Sequence, residues 1–323
     1  MTDETVGIDS NGCSLAGTFT EAANPVAALL IPGSGRVNRD SDVRLPGGPM
    51  LRTGVTRAVA EALGKARVST LRYDKRGVGD SGGDFLRAGM DDGLADAQAA
   101  LTWLADRTAG LPLLIVGHSE GAWYAAQLAA DPHVAGVVLL SAAARPGGDI
   151  LAWQAEQLAT RLPLPVKLAL RVLRTNVHRL QRRNLERITT SGDAEMRLQG
   201  QRVNARWTRD FVAYDPAPAL ARIAVPVLAI TGGGDLQVPP EDVDTIARLV
   251  HGPFQGHIVA DLNHLFRPDP RSLGPKGYRR AIRQPVNTQV LELLSTWVAH
   301  QWGPRARRAP TTTPWSATAS TRR

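Results

Sequence analysis

Nine residues, Leu113–Gly121 (LLIVGHSEG), limit what this chain can fold into more than any other stretch. Leu113, Leu114, Ile115 and Val116 form a short apolar run suited to a strand buried on both faces. Gly-His-Ser-Glu-Gly follows, and Ala122 to Ala130 read as a helix. Strand, sharp turn and helix are the context that the pattern G-x-S-x-G requires. Gly117 and Gly121 let the backbone turn tightly and pack closely, leaving the Ser119 hydroxyl exposed at the tip of a strained elbow. The N–H of Glu120, at the helix N-terminus, can donate to an oxyanion developing beside that serine.

The flanking sequence fits such an elbow. Val6–Asp9 and Ser14–Thr20, separated by Asn11-Gly12, read as an opening hairpin. Strands are expected at Val26–Ile31, Val68–Tyr73, Val134–Leu140, Val225–Thr231 and His257–Ala260. Helices are expected near Leu51–Ala66, from Asp91 onward, over Asp242–Leu249 and across Val286–Ala299. This alternation of apolar strands with helices indicates a mostly parallel sheet covered on both faces. It stops at Arg145. From Ile150 to Ala213 the apolar residues follow helical periods without strand-like runs, so an all-helical insertion is expected there, set as a cap on the sheet.

A second match to the serine pattern, Gly79–Gly83, spells the GDSGG found around the nucleophile of trypsin-like proteases. Those enzymes carry the base histidine upstream of the serine, and the first histidine here is His118. The single cysteine, Cys13, also excludes a disulfide-braced secreted protease domain. Gly79–Gly83 is therefore expected to be a loop, and Ser119 the nucleophile.

An activated serine needs a base, and the base needs an orienting acid. In a strand-elbow-helix architecture the order is serine, acid, histidine. Gly232-Gly233-Gly234-Asp235 turns directly out of the Val225–Thr231 strand, and Asp261-Leu262-Asn263-His264 follows the next one. Asp235 and His264 are the expected partners. Asp242 and Asp244 fall in a helix, and Asp261 lies too near His264. His251, His257, His300, His118, His133 and His178 lie off the required position. A second oxyanion donor is expected from Pro32-Gly33-Ser34-Gly35, with the Ser34 backbone N–H favoured and Gly35 the alternative.

Charge tests the rival classes. The net charge is +8, but the basic residues concentrate in two places. From Gly303 onward there are five arginines and no acid, and from Arg145 to Asp215 thirteen Lys and Arg face seven Asp and Glu. Without an aromatic platform or a recognised nucleic-acid fold, the middle segment reads as a solvated helical surface, and no nucleic-acid partner is expected. The tail is expected to be disordered. No cluster has metal-ligand spacing, so neither metal nor organic cofactor is expected. No apolar run approaches the ~20 residues of a membrane span. With no secretory h-region and one cysteine, the expected compartment is the cytoplasm.

Four motifs together resemble the α/β-hydrolase superfamily across Val6–Gln301, and most closely bacterial esterases related to its serine aminopeptidase-like branch. They are Gly33–Gly35 followed by Arg39-Asp40, Tyr73–Gly77 (YDKRG), Gly232–Pro239 (G-x-x-D-x-Q-V-P) and Asn263–Phe266 (NHLF). One departure is Arg36-Val37-Asn38, where relatives often carry proline and a polar residue. The resemblance implies an α/β-hydrolase core over residues 1–144 and 222–302. It also implies a helical cap over 145–221, after the sixth sheet strand, leaving 303–323 as a basic tail. The implied activity is cleavage of small-molecule carboxylic esters of short to medium chain through an acyl-enzyme, by Ser119, Asp235 and His264, with Ser34 and Glu120 amides as oxyanion hole. An acyl-CoA thioesterase or an aminopeptidase-like peptidase on the same fold are the alternatives. A non-enzymatic binding protein is disfavoured by the complete set of residues.

Overall fold

The computed structural model describes residues 2–23, 25–44, 48, 50–269 and 280–303. Its eight-stranded sheet has the order β1 (Asp3–Ser10), β2 (Cys13–Thr20), β6 (Ser69–Tyr73), β3 (Ala27–Ile31), β7 (Leu113–His118), β8 (Val134–Leu140), β11 (Val227–Gly232), β12 (Phe254–Val259). From β6 onward every neighbouring pair is parallel, and β1 and β2 form an antiparallel edge. The β1–β2 turn puts Asn11 and Gly12 at φ 52° and 79°, the left-handed pair that a two-residue hairpin turn demands.

The central strands are buried on both faces, as their unbroken apolar runs require. Ala27, Leu29 and Ile31 of β3 belong to one core with α2 (Met90–Arg107), α3 (Glu120–Leu128) and α9 (Asp242–Leu249). Ala28 and Leu30 belong to the other, with α1 (Val55–Lys65) and α10 (Thr288–Trp302). The strand's two-residue period thus divides each apolar run between two helix layers.

Several boundaries differ from the sequence expectation, each for a local reason. The first helix starts at Val55 because Leu51 is held in β5 (Met50–Leu51), antiparallel to β4 (Val43–Arg44). The strand expected from Val225 starts at Val227, since Pro226 has no N–H to give to a ladder. The last helix starts at Thr288, where the Asn287 side chain accepts from Gln289 N–H.

Between β8 and β11 the chain forms α4 (Gly147–Arg161), α5 (Leu164–Val172), α6 (Val177–Thr189), α7 (Ala205–Ala213) and the short α8 (Ala217–Leu220). It is not all-helical. Strands β9 (Glu195–Leu198) and β10 (Gln201–Asn204) form a hairpin whose turn residues, Gln199 and Gly200, have φ 44° and 81°. Four-residue strands are too short for alternation to stand out, but Met196 opposite Val203 covers Ile188. The basic tail expected at 303–323 lies, beyond Gly303, outside the described residues. Among the described residues no helix is long and apolar enough to cross a membrane.

Candidate active site

Ser119 sits where β7 turns into α3, with φ 56° and ψ −120°. A non-glycine residue held there costs about 1–3 kcal/mol, which the surrounding packing must overcome. The two glycines of the motif make that packing possible. A Cβ on Gly117 would stand 2.2 Å from the Gly121 carbonyl oxygen, and one on Gly121 would stand 2.3 Å from that of Ile31. Ser119 N–H donates to Leu140 O at 2.9 Å, which ties the elbow to the end of β8.

Asp235 leaves the end of β11 and is buried. One carboxylate oxygen, Oδ1, accepts the N–H groups of Gln237 (2.7 Å) and Val238 (3.1 Å). The other, Oδ2, lies 2.8 Å from Nδ1 of His264. The loop carrying His264 is joined to the acid loop through backbone: Gly233 N–H donates to Val259 O and Gly234 N–H to Leu262 O. Asn263 closes the histidine turn by accepting from Leu265 and Arg267 N–H. The structure therefore brings Asp235 and His264 into direct contact, and Ser119 and His264 line one cavity.

That cavity has a volume of about 540 Å³. Val37, Val43, Leu51, Leu158, Leu236 and Leu265 give it an apolar lining, and Ser34 and Ser119 also line it. A second cavity of about 80 Å³ shares Ser34, Ser119, Gln154 and Gln237 with it and is bounded by Ile150, Trp207 and Phe211. Ser119 thus stands between a large and a small chamber. The Gly33-Ser34 turn abuts the elbow, since a Cβ on Gly33 would be 3.2 Å from that of Ser119.

Sequence reasoning assigned Glu120 only a backbone role. Its side chain is buried and does more. Oε2 accepts from Lys75 Nζ at 2.9 Å, and Oε1 accepts from the Tyr124 hydroxyl at 2.7 Å and the Trp207 indole at 2.5 Å. Lys75 Nζ also donates to Gly33 O at 3.1 Å. One lysine thereby joins the elbow to the Ser34 turn, and Trp207 ties α7 to both. Burial, and then the Glu120 carboxylate, hold the Tyr124 phenol well above its usual pKa, so it remains a donor. The YDKRG motif carried this signal, because a charged residue at the end of a buried strand needs a partner.

His118 was also passed over. Its Nε2 lies 2.9 Å from the carbonyl oxygen of His264, so Nε2 carries the proton and donates. Burial, and then the electrostatic influence of the adjacent His264, lower its pKa to about 3. It is a neutral strut beneath the histidine loop.

The second serine motif has a structural role. Ser81 Oγ donates to Asp74 O at 2.7 Å and accepts from Ala16 N–H at 2.9 Å. Gly79, at φ 58°, lets the loop lie over the Asp74 carboxylate. Arg39 donates from its backbone and guanidinium to that same carboxylate, at 2.7 and 2.6 Å. Asp40 binds Arg72 at 2.8 Å and also pairs with Arg57. The Arg-Asp pair after the Gly33–Gly35 turn is thus an anchor for that turn. Among the described residues no group of three or more His, Cys, Asp or Glu is placed to hold a metal ion.

A mostly parallel sheet, with a serine elbow after its central strand and an Asp-His contact across two later loops, defines an α/β hydrolase. Residues 48–267 match the family described as serine aminopeptidase, S33, and the chain belongs to that family. It is 25% identical to esterase EstD of Thermotoga maritima over 295 residues, covering 90% of this chain and 66% of that protein. Est1E of Butyrivibrio proteoclasticus, solved with ferulic acid bound, has a similar fold (TM-score 0.57, 18% identity, 90% of this chain and 99% of that one). So does the Pyrococcus furiosus esterase Pf2001 (TM-score 0.58, 17% identity, 92% and 91%).

Proposed function

We propose that this protein is a serine hydrolase that cleaves carboxylic esters of short to medium chain. The observation that carries the reading is the Asp235–His264 contact within one site with the strained Ser119 elbow. In this reading His264 Nε2 takes the Ser119 proton as Oγ attacks the ester carbonyl carbon. Asp235 holds the imidazole with Nδ1–H toward itself and stabilises the imidazolium. The N–H groups of Ser34 and Glu120 bind the oxyanion. His264 then protonates the departing alcohol, and a water deprotonated by His264 releases the acid. Residues 145–221 act as the cap that closes the chambers.

The two chambers support a division of the substrate. The leaving oxygen must reach His264, which lines the large chamber and not the small one. The alcohol therefore occupies the apolar 540 Å³ chamber, and the acyl group the smaller 80 Å³ one. A peptide amine would want an acidic anchor. Among the described lining residues the only carboxylate is Glu120, already bound by Lys75, Tyr124 and Trp207. The relationship to an esterase of Thermotoga maritima supports the same choice.

The test is labelling with a fluorophosphonate followed by peptide mapping, then kcat/KM for p-nitrophenyl acetate, butyrate, octanoate and palmitate, an aminoacyl amide and an acyl-CoA. The label is expected on Ser119, with the highest kcat/KM at acetate or butyrate. A label on Ser81, or a higher value for the amide or CoA ester, overturns the reading.

A further inference from the structure

The insertion carries a surface that the proposed reaction does not use. No residue of α5 is buried. Leu164, Leu168, Val172 and Leu173 are 69%, 53%, 81% and 71% exposed, and Val166 and Leu180 are exposed beside them. On a 3.6-residue period Lys167 and Arg171 share one narrow face of α5, while Leu164, Leu168 and Val172 run along the next. Only Leu170 turns part-way toward the body. From Gln157 to Leu185 there are seven Lys and Arg and no Asp or Glu. All seven are exposed: Arg161, Lys167, Arg171, Arg174, Arg179, Arg182 and Arg183.

The cations are solvated as the charge pattern suggested, and beside them α5 presents exposed leucines and valines. A projecting helix with so much apolar side chain in water requires a cover. A second copy of the chain would offer apolar area but set seven cations against seven. A nucleic acid would answer the cations but leave the leucines and valines wet. A lipid bilayer bearing anionic headgroups answers both, because apolar side chains enter the headgroup–acyl boundary while Lys and Arg stay among the phosphates.

We propose that α5 and the first turns of α6 dock this protein on an anionic lipid surface. Docking requires no membrane-spanning segment. It also places the large cavity at the lipid, since Leu158 and Arg161, on the last turn of α4 just before α5, line that cavity. The inference stands on exposure and charge and does not depend on the proposed reaction.

The experiment is flotation of the full chain with phosphatidylcholine vesicles, alone or with about 30% phosphatidylglycerol, at about 0.05 and 0.5 M salt. Partitioning is expected to be at least ~10-fold stronger on the anionic vesicles and to fall at high salt. The pair K167E/R171E and the pair V172S/L173S are each expected to lose ~10-fold or more, with an unchanged thermal midpoint by circular dichroism. Should the serine pair fail to fold, R182E/R183E provides the same reading from cations on α6. Equal binding to both vesicle types, no binding, or variants that bind like the parent would overturn the proposal. So would a dimer in size-exclusion chromatography that V172S/L173S dissociates, which would assign the face to a second copy.

Discussion

Replacing Glu120 by glutamine removes one charge from a site where three donors converge. The Glu120 side chain is 1% exposed and its partner Lys75 15%, so the ammonium left behind has little water to turn to. Removing one member of a buried pair costs about 3–5 kcal/mol, and the residual exposure of Lys75 places the expectation near the lower end. A glutamine amide also presents an NH₂ to donors that faced a carboxylate, so one of the Lys75, Tyr124 and Trp207 bonds is lost as well. For a chain of this length ~3 kcal/mol corresponds to a midpoint lower by roughly 5 °C. K75M alone leaves the carboxylate with Tyr124 and Trp207 and should cost less, while K75M/E120Q should cost ~2 kcal/mol less than the sum of the singles. Activity separates this from a purely structural pair. Lys75 also holds Gly33 O, so K75M frees the Ser34 turn and should lower kcat by ~10- to 100-fold with little change in KM. Urea unfolding followed by circular dichroism, with p-nitrophenyl butyrate kinetics, measures both. A cost below ~1 kcal/mol for E120Q, or an additive double variant, would show that the pair is hydrated and that the bridge is not what holds the turn.

Three further outcomes are expected. S119A should abolish fluorophosphonate labelling and lower kcat by at least ~10⁴-fold, and adding D235N or H264A should cost little more, because in the proposed mechanism the three act as a unit. S81A should leave labelling and kcat unchanged while lowering stability by about 1–2 kcal/mol, the value of two partly buried hydrogen bonds. His118 is neutral in the fold down to a pKa of about 3, whereas in the unfolded chain it protonates near 6.5. The unfolded state therefore binds the extra proton, so the stability this residue contributes is whole above pH 6.5 and is lost as the pH falls toward 3. The loss amounts to roughly 4–5 kcal/mol over that window. Urea unfolding of H118F across the same range should show a shallower dependence, and an unchanged slope would place the acid sensitivity elsewhere.

Much of the fold was legible because the residues that form it obey a single period. The strands β3, β7 and β8 carry unbroken apolar runs at Ala27–Ile31, Leu113–Val116 and Val137–Leu140, which suit a strand between two helix layers. Asp235 and His264 were legible for another reason: each follows a strand of that sheet, and the sheet fixes where such loops emerge. The β9–β10 hairpin was not legible, because its strands are short and Gln199 supplies a positive φ that glutamine rarely adopts. Nor was the second role of Glu120. Its partners Lys75 and Trp207 lie 45 and 87 positions away, so although Lys75 at the end of a buried strand called for a partner, nothing local in the sequence says which. His118 illustrates the same limit, since its acceptor is a backbone carbonyl and leaves no mark in composition.

The chain enters and leaves its insertion at nearly one point. Gly147 N–H donates to Tyr214 O at 2.9 Å, and a Cβ on Gly147 would stand 1.8 Å from Phe211 O. On the sheet side β8 and β11 lie in direct register, Val137 opposite Val227 through Leu140 opposite Ile230, as if nothing intervened. The sheet that carries Ser119, Asp235 and His264 is therefore continuous across the insertion. An insertion of another length or shape at this seam would change the residues that line the chambers and the surface the molecule presents, while leaving the β8–β11 pairing in place. Such an exchange would have to rebuild the bonds from Trp207 to Glu120 and from Gln154 to Gln237 O, both beside Ser119.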